Sequence, residues 1–256
     1  MRNITLVLLF IGLASYVTLN SKTIPTIEKQ KSKTINPKND LSPNQLLYND
    51  LKLNNVLNYS IFDLAINGYN HLKHNINNKD IITIIDFSLP STEKRMFVID
   101  LKNKEILYHN IVSHGQKSGL LYATDFSNRH GSHQSSLGFY VTKNTYQGSN
   151  GYSLVIDGLE EGINDQAKAR AVVIHGADYC SEDIIKKTGR LGRSYGCPAL
   201  PRKLNTPIIN TIKNGSLLFI YADDKEYLTS SEIIKHPGRT MIAQHEDINN
   251  TENGVL

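Results

Sequence analysis

The sequence predicts a mostly β domain, an antiparallel sandwich or partly closed barrel with short helices at its edges. Three observations carry this. Short β-branched or aromatic runs recur from Ile81 onward between Gly, Asn and Ser clusters, at the spacing of an all-β fold. Ahead of them lie two stretches with helical signals, and one more helical stretch precedes the last run. The length of 256 residues, with 39% hydrophobic and 20% charged content, suits one principal domain with appendages.

The chain opens with "MRNITLVLLFIGLASYVTLN", in which Arg2 precedes an uncharged apolar run from Ile4 to Leu19. This is the layout of an export signal. The run is short against the roughly 20 residues of a membrane-spanning helix, and Gly12-Leu13-Ala14 is a passable cleavage site. Residues 1–21 are therefore expected to be a cleaved signal peptide or a signal anchor, the latter a possible membrane attachment, and the protein to be exported to the periplasm or cell envelope. No cysteine follows the run, which argues against a lipid-anchored lipoprotein. Residues 22–41 are polar and lysine-rich, too poor in large apolar side chains to pack a core, and read as a tether.

A helical segment is expected over 42–80. Ser42 is a capping residue, Pro43 suits the first helical position and Gln45 stands three after the cap. Phe62, Ala65, Ile66, Tyr69 and Leu72, three and four apart, give a second helix one apolar face. The main domain is assigned to 81–222, with strands at "IITIIDF", "MFVIDL", "ILYHNIVS", "LGFYVT", "SLVID", "AVVIH" and "SLLFIYA". In "NTPIINTIKNG", Thr206 is read as a cap, Pro207 as the first helical residue and Gly215 as the stop. Residues 223–256 turn polar and read as a disordered tail. A net charge of +4, without a basic run interleaved with aromatics, gives no case for nucleic-acid binding. A monomer is expected.

The chain has two cysteines, and Cys197 sits in the glycine-rich turn "GRLGRSYGCPALP". A buried thiol ordinarily sits among aliphatic residues. Three roles compete for it: a disulfide to Cys180, as an even cysteine count in an exported chain suggests; a plain buried thiol; or a nucleophile. The last requires a base, because a free thiol is only a few per cent thiolate at neutral pH. His175, at the end of "AVVIH", is a candidate. Gly192 and Gly196 would let the backbone turn sharply, so that the Gly196 and Cys197 amides converge on the oxygen of an attacked carbonyl. Pro198 stiffens the exit.

"VVIHGADY" followed by "GRSYGCPALP" resembles the active-site signature of the L,D-transpeptidase catalytic domain family, the YkuD-like cysteine enzymes of peptidoglycan, and most closely the murein L,D-transpeptidase catalytic domain branch. The resemblance runs from about Thr83 to "LLFIYA" and includes "SHGQKSG", "FSNRHGSHQSSLGFY", "YQGSNGYSLVIDGLEEGIND" and "ARAVVIHGADY". It implies a YkuD-like fold, Cys197 as nucleophile, His175 as base, the Gly176 carbonyl as an orienter of the imidazole, and oxyanion amides at Gly196 and Cys197. Ser194 and Gly196 match the small residues before the catalytic cysteine. Tyr195 and Ala199 stand where many members have His and Arg or Asn, so substrate contacts are expected from Arg193, Ser194 and Tyr195, with Arg190 a further candidate.

The implied reaction is acyl transfer on peptidoglycan stem peptides, without a cofactor. Cys197 forms a thioester with a tetrapeptide stem, terminal D-alanine leaves, and an amine takes the acyl group. Water in place of the amine would give an L,D-carboxypeptidase. Two other classes compete with this reading. His114, His130 and His133 with His175 and Asp178 supply zinc-ligand types, but "HGSH" lacks the helical H-E-x-x-H spacing, so no metal is expected and His130 and His133 are read as loop residues near the cleft. A non-catalytic wall-binding module is disfavoured because His175 and Cys197 are both present. Finally, "SSLGFYVT" offers a strand whose edge could bind an extended peptide by strand addition.

Overall fold

The computed structural model describes residues 41–236. The signal or anchor, nearly all of the tether and the end of the polar tail lie outside the described residues.

Helix α1, Pro43–Asp50, begins where the capping pattern places it: the Gln45 amide donates to Ser42 Oγ at 3.1 Å. Helix α2, Tyr59–Leu72, starts on the Asn58 cap and buries Ile61, Phe62, Ala65, Ile66 and Leu72, the apolar face seen in the sequence. Gly68 on this helix is a close-approach site, since a Cβ there would lie 2.1 Å from Phe139 Cζ.

The strands are β1 (Ile81–Asp86), β2 (Met96–Asp100), β3 (Glu105–Asn110), β4 (Gly138–Gly148), β5 (Gly151–Gly158), β6 (Val173–Ala177), β7 (Ala199–Pro201) and β8 (Leu217–Tyr221). They form one curled sheet, a half-barrel, in the order β3-β2-β1-β8-β4-β5-β6-β7. Of the two arrangements the sequence allowed, this is the partly closed barrel. The sheet is mixed, because β1 runs parallel to β8 and β6 parallel to β7. All residues of β1 and β8 are buried, which explains their near-continuous apolar runs. A backbone bridge between Ser113 and Ala199 joins the chain just past β3 to β7, with Ser113 N donating to Ala199 O at 2.9 Å. The two ends of the sheet thus meet beside the turn that carries Cys197.

Helix α3, Glu182–Thr188, is capped by Ser181 and closed by Gly189 at φ 75°. Its short acidic and basic ends complement the helix dipole. Helix α4, Arg202–Ile212, starts earlier than expected: Pro201 holds the N-cap position and Pro207 lies inside the helix. Thr206 is therefore not a cap. Burial of Asn205, Ile208, Ile209 and Ile212 along one face outweighs the backbone bond that Pro207 cannot make.

The polar segment past Asp223 is also more ordered than its composition suggests. It forms α5 (Lys225–Ser230) and α6 (Glu232–Lys235), anchored by buried Tyr227 and Ile233. The buried Glu160 carboxylate ties them to the sheet, accepting from Phe139 N at 2.8 Å, from Tyr227 Oη at 3.2 Å and from Ser231 Oγ. Among the described residues, no helix is long and apolar enough to cross a membrane.

Candidate active site

Strand β6 is the frame of the site. His175 lies in its middle, not at its end as the sequence suggested, because the strand continues through Gly176 and Ala177 to pair with β7. In that register His175 faces Ala199, two residues beyond Cys197. The thiol is placed against the start of β6: Val173 N–H points to Cys197 Sγ at 3.4 Å, and Sγ lies 3.8 Å from Ala171 O. Val173 and His175 project to the same face of the strand. The sequence therefore brings thiol and imidazole to one stretch of β6, by pairing the segment after Cys197 with the segment around His175.

His175 is 3% exposed, and burial lowers its pKa. Its Nδ1 lies 3.1 Å from the Gly176 carbonyl, which can only accept, so Nδ1 carries the proton and Nε2 keeps its lone pair. The absence of a side chain at Gly176 matters because a Cβ there would come within 3.0 Å of Asn205 on α4. Arg202 contributes a smaller lowering effect on His175 and is itself paired with Asp178 at 2.6 Å.

The turn before Cys197 is braced internally. Gly196 adopts φ 121°, open to glycine alone, and a Cβ would meet Gln134 O at 2.7 Å. Its amide donates to Ser194 Oγ at 3.0 Å, and Ser194 Oγ donates to Cys197 O at 2.6 Å. Ser135 Oγ donates to Gly196 O at 3.0 Å. Two expectations change as a result. The Gly196 amide is engaged by Ser194, leaving the Cys197 amide of the expected oxyanion pair. Ser194 is a buried brace, not a group turned toward substrate.

Arg193 is anchored through Nη1, which donates to the Gln116 and Gly119 carbonyls at 2.7 and 2.8 Å. Arg190 donates to its neighbour's carbonyl, Leu191 O, at 2.8 Å. Tyr195 is the member of the expected substrate-facing set that reaches solvent, 70% exposed, with its ring stacked on His133 at 4.4 Å between centroids. His133 thus packs beside the turn that carries Cys197.

Both cysteines are free, which removes the disulfide alternative. Cys180 is wholly buried with Ile111, Leu191 and Ala199, and burial pushes its thiol up to about 11. The acidic neighbours in sequence, Asp178, Glu182 and Asp183, are not the cause of that rise, which is desolvation. The zinc-ligand set does not assemble either. His114 Nδ1 accepts from Arg95 Nη2 at 2.7 Å inside the core, and burial followed by Arg95 pushes its pKa down to about 3. Asp178 is held by Arg202, and among the described residues no three His, Cys, Asp or Glu side chains converge as metal ligands. Strand addition on the β4 part of "SSLGFYVT" is excluded, since β8 pairs with Gly138–Val141 and β5 with β4 from Tyr140 onward.

One residue was missed. Arg170, three residues before β6 in "ARAVVIH", lies against Gly196: its Nη2 would be 3.5 Å from a Cβ on that glycine. The signal available was a basic residue beside an apolar strand, which usually means a solvated charge. Here the side chain instead turns into the "SNRHGSHQSS" loop, where Ser127, Ser132, Gln134 and Ser136 accept its hydrogens.

Residues 53–221 match the L,D-transpeptidase catalytic domain family. Similar solved structures include an L,D-transpeptidase from Mycobacterium smegmatis, at 12% identity over 56% of this chain and 59% of that one, TM-score 0.35. The helical cell shape determining protein Pgp2 from Campylobacter jejuni aligns at 13% identity over 57% and 48%, TM-score 0.39. A mutant Enterococcus faecium L,D-transpeptidase aligns at 14% over 56% and 50%, TM-score 0.34. The aligned part thus spans less than two thirds of each of these proteins. Among curated proteins, none matches. On the match that spans most of the described domain, the chain belongs to the L,D-transpeptidase catalytic domain family.

Proposed function

We propose that this chain is a peptidoglycan L,D-transpeptidase of the cell envelope, with Cys197 as nucleophile and His175 as its base. The observation that carries the reading is the arrangement on β6: Cys197 Sγ sits at the Val173 amide, and His175, on the same strand, has Nδ1 committed to Gly176 O and Nε2 open to take a proton. Burial raises the Cys197 pKa, partly offset by the Val173 amide and Arg170, and lowers that of His175, so at rest one is a thiol and the other a neutral imidazole.

In this mechanism His175 Nε2 takes the thiol proton as Sγ adds to the carbonyl that joins the stem to its terminal D-alanine. The Cys197 amide donates to the oxyanion. The C–N bond then breaks, the imidazolium gives its proton to the departing amine, and a thioester remains. A side-chain amine of a second stem attacks the thioester, the sulfur leaves, and an amide cross-link forms. Tyr195, exposed beside Cys197, is the substrate contact this geometry favours; Arg193 contributes through the loop it holds. Water attack on the same thioester would make the protein an L,D-carboxypeptidase.

The test is to incubate the purified protein with tetrapeptide-stem muropeptides and weigh the products. Release of D-alanine with cross-linked dimers supports the transpeptidase. Release without dimers indicates the hydrolase. Unchanged muropeptides overturn both.

A further inference from the structure

We infer that Arg170 is a positioning residue that supplies a fixed positive charge to the Cys197 site, held in place by the 127–136 loop, and that it is not a substrate-binding arginine. The inference rests on Cys197 being the reactive thiol.

The hydrogen-bond inventory decides between the two roles. A guanidinium has two hydrogens on each Nη. In Arg170, Nη1 donates to Ser127 O and Ser136 Oγ, both at 2.6 Å, and Nη2 donates to Ser132 Oγ at 3.1 Å and Gln134 O at 2.7 Å. The fork that would grip a carboxylate is therefore fully used. All four acceptors are neutral, and among the described residues the ion pairs involve other cations. The charge is fixed in position without being cancelled.

That charge faces Tyr140, which burial keeps protonated, and Cys197. Nη2 is beside Gly196, the residue before the nucleophile, and Arg170 and Cys197 act on each other electrostatically in the direction that favours thiolate. Tyr179, just after β6, also acts on the thiol; His175 on β6 is acted on by Arg202, whose charge Asp178 offsets. Burial keeps both tyrosines protonated and His175 neutral at neutral pH, so Arg170 is the standing charge of this set. The same loop also closes on the turn through Ser135 Oγ and Gly196 O. One side chain thus sets both the wall of the cleft and its potential.

The test reads the thiol directly and needs no peptidoglycan. Cys197 alkylation by iodoacetamide is followed by peptide mass analysis across pH in the full chain and in Arg170→Gln and Arg170→Lys, with circular dichroism to confirm folding. Arg170→Gln is expected to move the alkylation profile upward by about one pH unit, slowing the reaction near neutrality about tenfold. Arg170→Lys, which keeps the charge but has fewer donors, is expected to stay within about threefold of the parent. An unchanged profile in folded Arg170→Gln overturns the inference. Should that variant not fold, a profile displaced by a full unit in folded Arg170→Lys overturns it, and a preserved one supports it. Failure of the muropeptide assay with this thiol behaviour intact would strike the proposed substrate alone.

Discussion

Ser194 Oγ bridges its own turn, accepting the Gly196 amide at 3.0 Å and donating to the Cys197 carbonyl at 2.6 Å. One hydroxyl therefore holds the peptide unit before and the peptide unit after the one that carries the Cys197 amide. Ser194→Ala should leave the fold intact but let the Cys197 amide wander from the oxyanion. Acylation by a tetrapeptide donor is expected to fall about 10- to 100-fold, in the range for a weakened oxyanion contact. Iodoacetamide labelling of Cys197, which forms no oxyanion, should change by less than about threefold. Pre-steady-state mass spectrometry and alkylation kinetics give the two readings.

The two thiols should separate cleanly. Cys180 is wholly buried and its pKa lies near 11, whereas Cys197 is partly accessible at the β6 edge. Cys197→Ala should abolish the acyl-enzyme mass formed with a tetrapeptide donor or a carbapenem-type β-lactam. Cys180→Ser should retain it, with a stability loss of about 1–3 kcal/mol for an added buried hydroxyl. His175→Ala should bind donor yet fail to acylate. A native protein of intact activity whose peptide map joins Cys180 to Cys197 would contradict this.

The pH dependence follows from two opposite effects of burial. It lowers His175, so the neutral base persists below the ordinary histidine value of about 6.5, and it raises Cys197, so thiolate is scarce until the alkaline side. Donor turnover, which uses the neutral pair, should have its acid midpoint below about pH 6.5 and a plateau through neutrality. Alkylation of the unassisted thiol should still be rising above about pH 8.5. Coincident midpoints for both rates would contradict the neutral-pair ground state.

Gly68→Ala tests the packing behind the site. The new Cβ would lie 2.1 Å from Phe139 Cζ, and that ring is itself stacked on Phe219 at 4.3 Å, so it has little room to withdraw. Destabilisation of about 1–3 kcal/mol is expected in urea unfolding. Cys197 alkylation in the folded fraction should not change.

The strands were legible because both faces of the sheet centre are covered, which leaves uninterrupted runs such as "IITIIDF" and "SLLFIYA". Strand β7 was not, being three residues whose pairing is dictated by the partners His175 and Ser113 and not by its own composition. Thr206-Pro207 looked like a helix start because local signals favoured it, but the buried face of α4 begins with Asn205. At the site, Cys197 and His175 could be picked out by their unusual setting. The partners of Arg193 and Arg170 could not, since each is a backbone carbonyl or a serine brought near by the fold.

The bridge between Ser113 and Ala199 has a bearing on how the enzyme assembles. It is the clasp of an incomplete cylinder, joining strands at opposite ends of the sheet order, and it pairs the chain next to Cys197 with a segment far back in sequence. Loop-closure entropy makes such a contact one of the slower to form. Until it closes, the nucleophile's turn lacks one of its two flanking strands, so a newly made chain passes through stages with an intact apolar centre and an unformed thiol site. The turn that carries the thiol is thereby the last part of the domain to take its final shape.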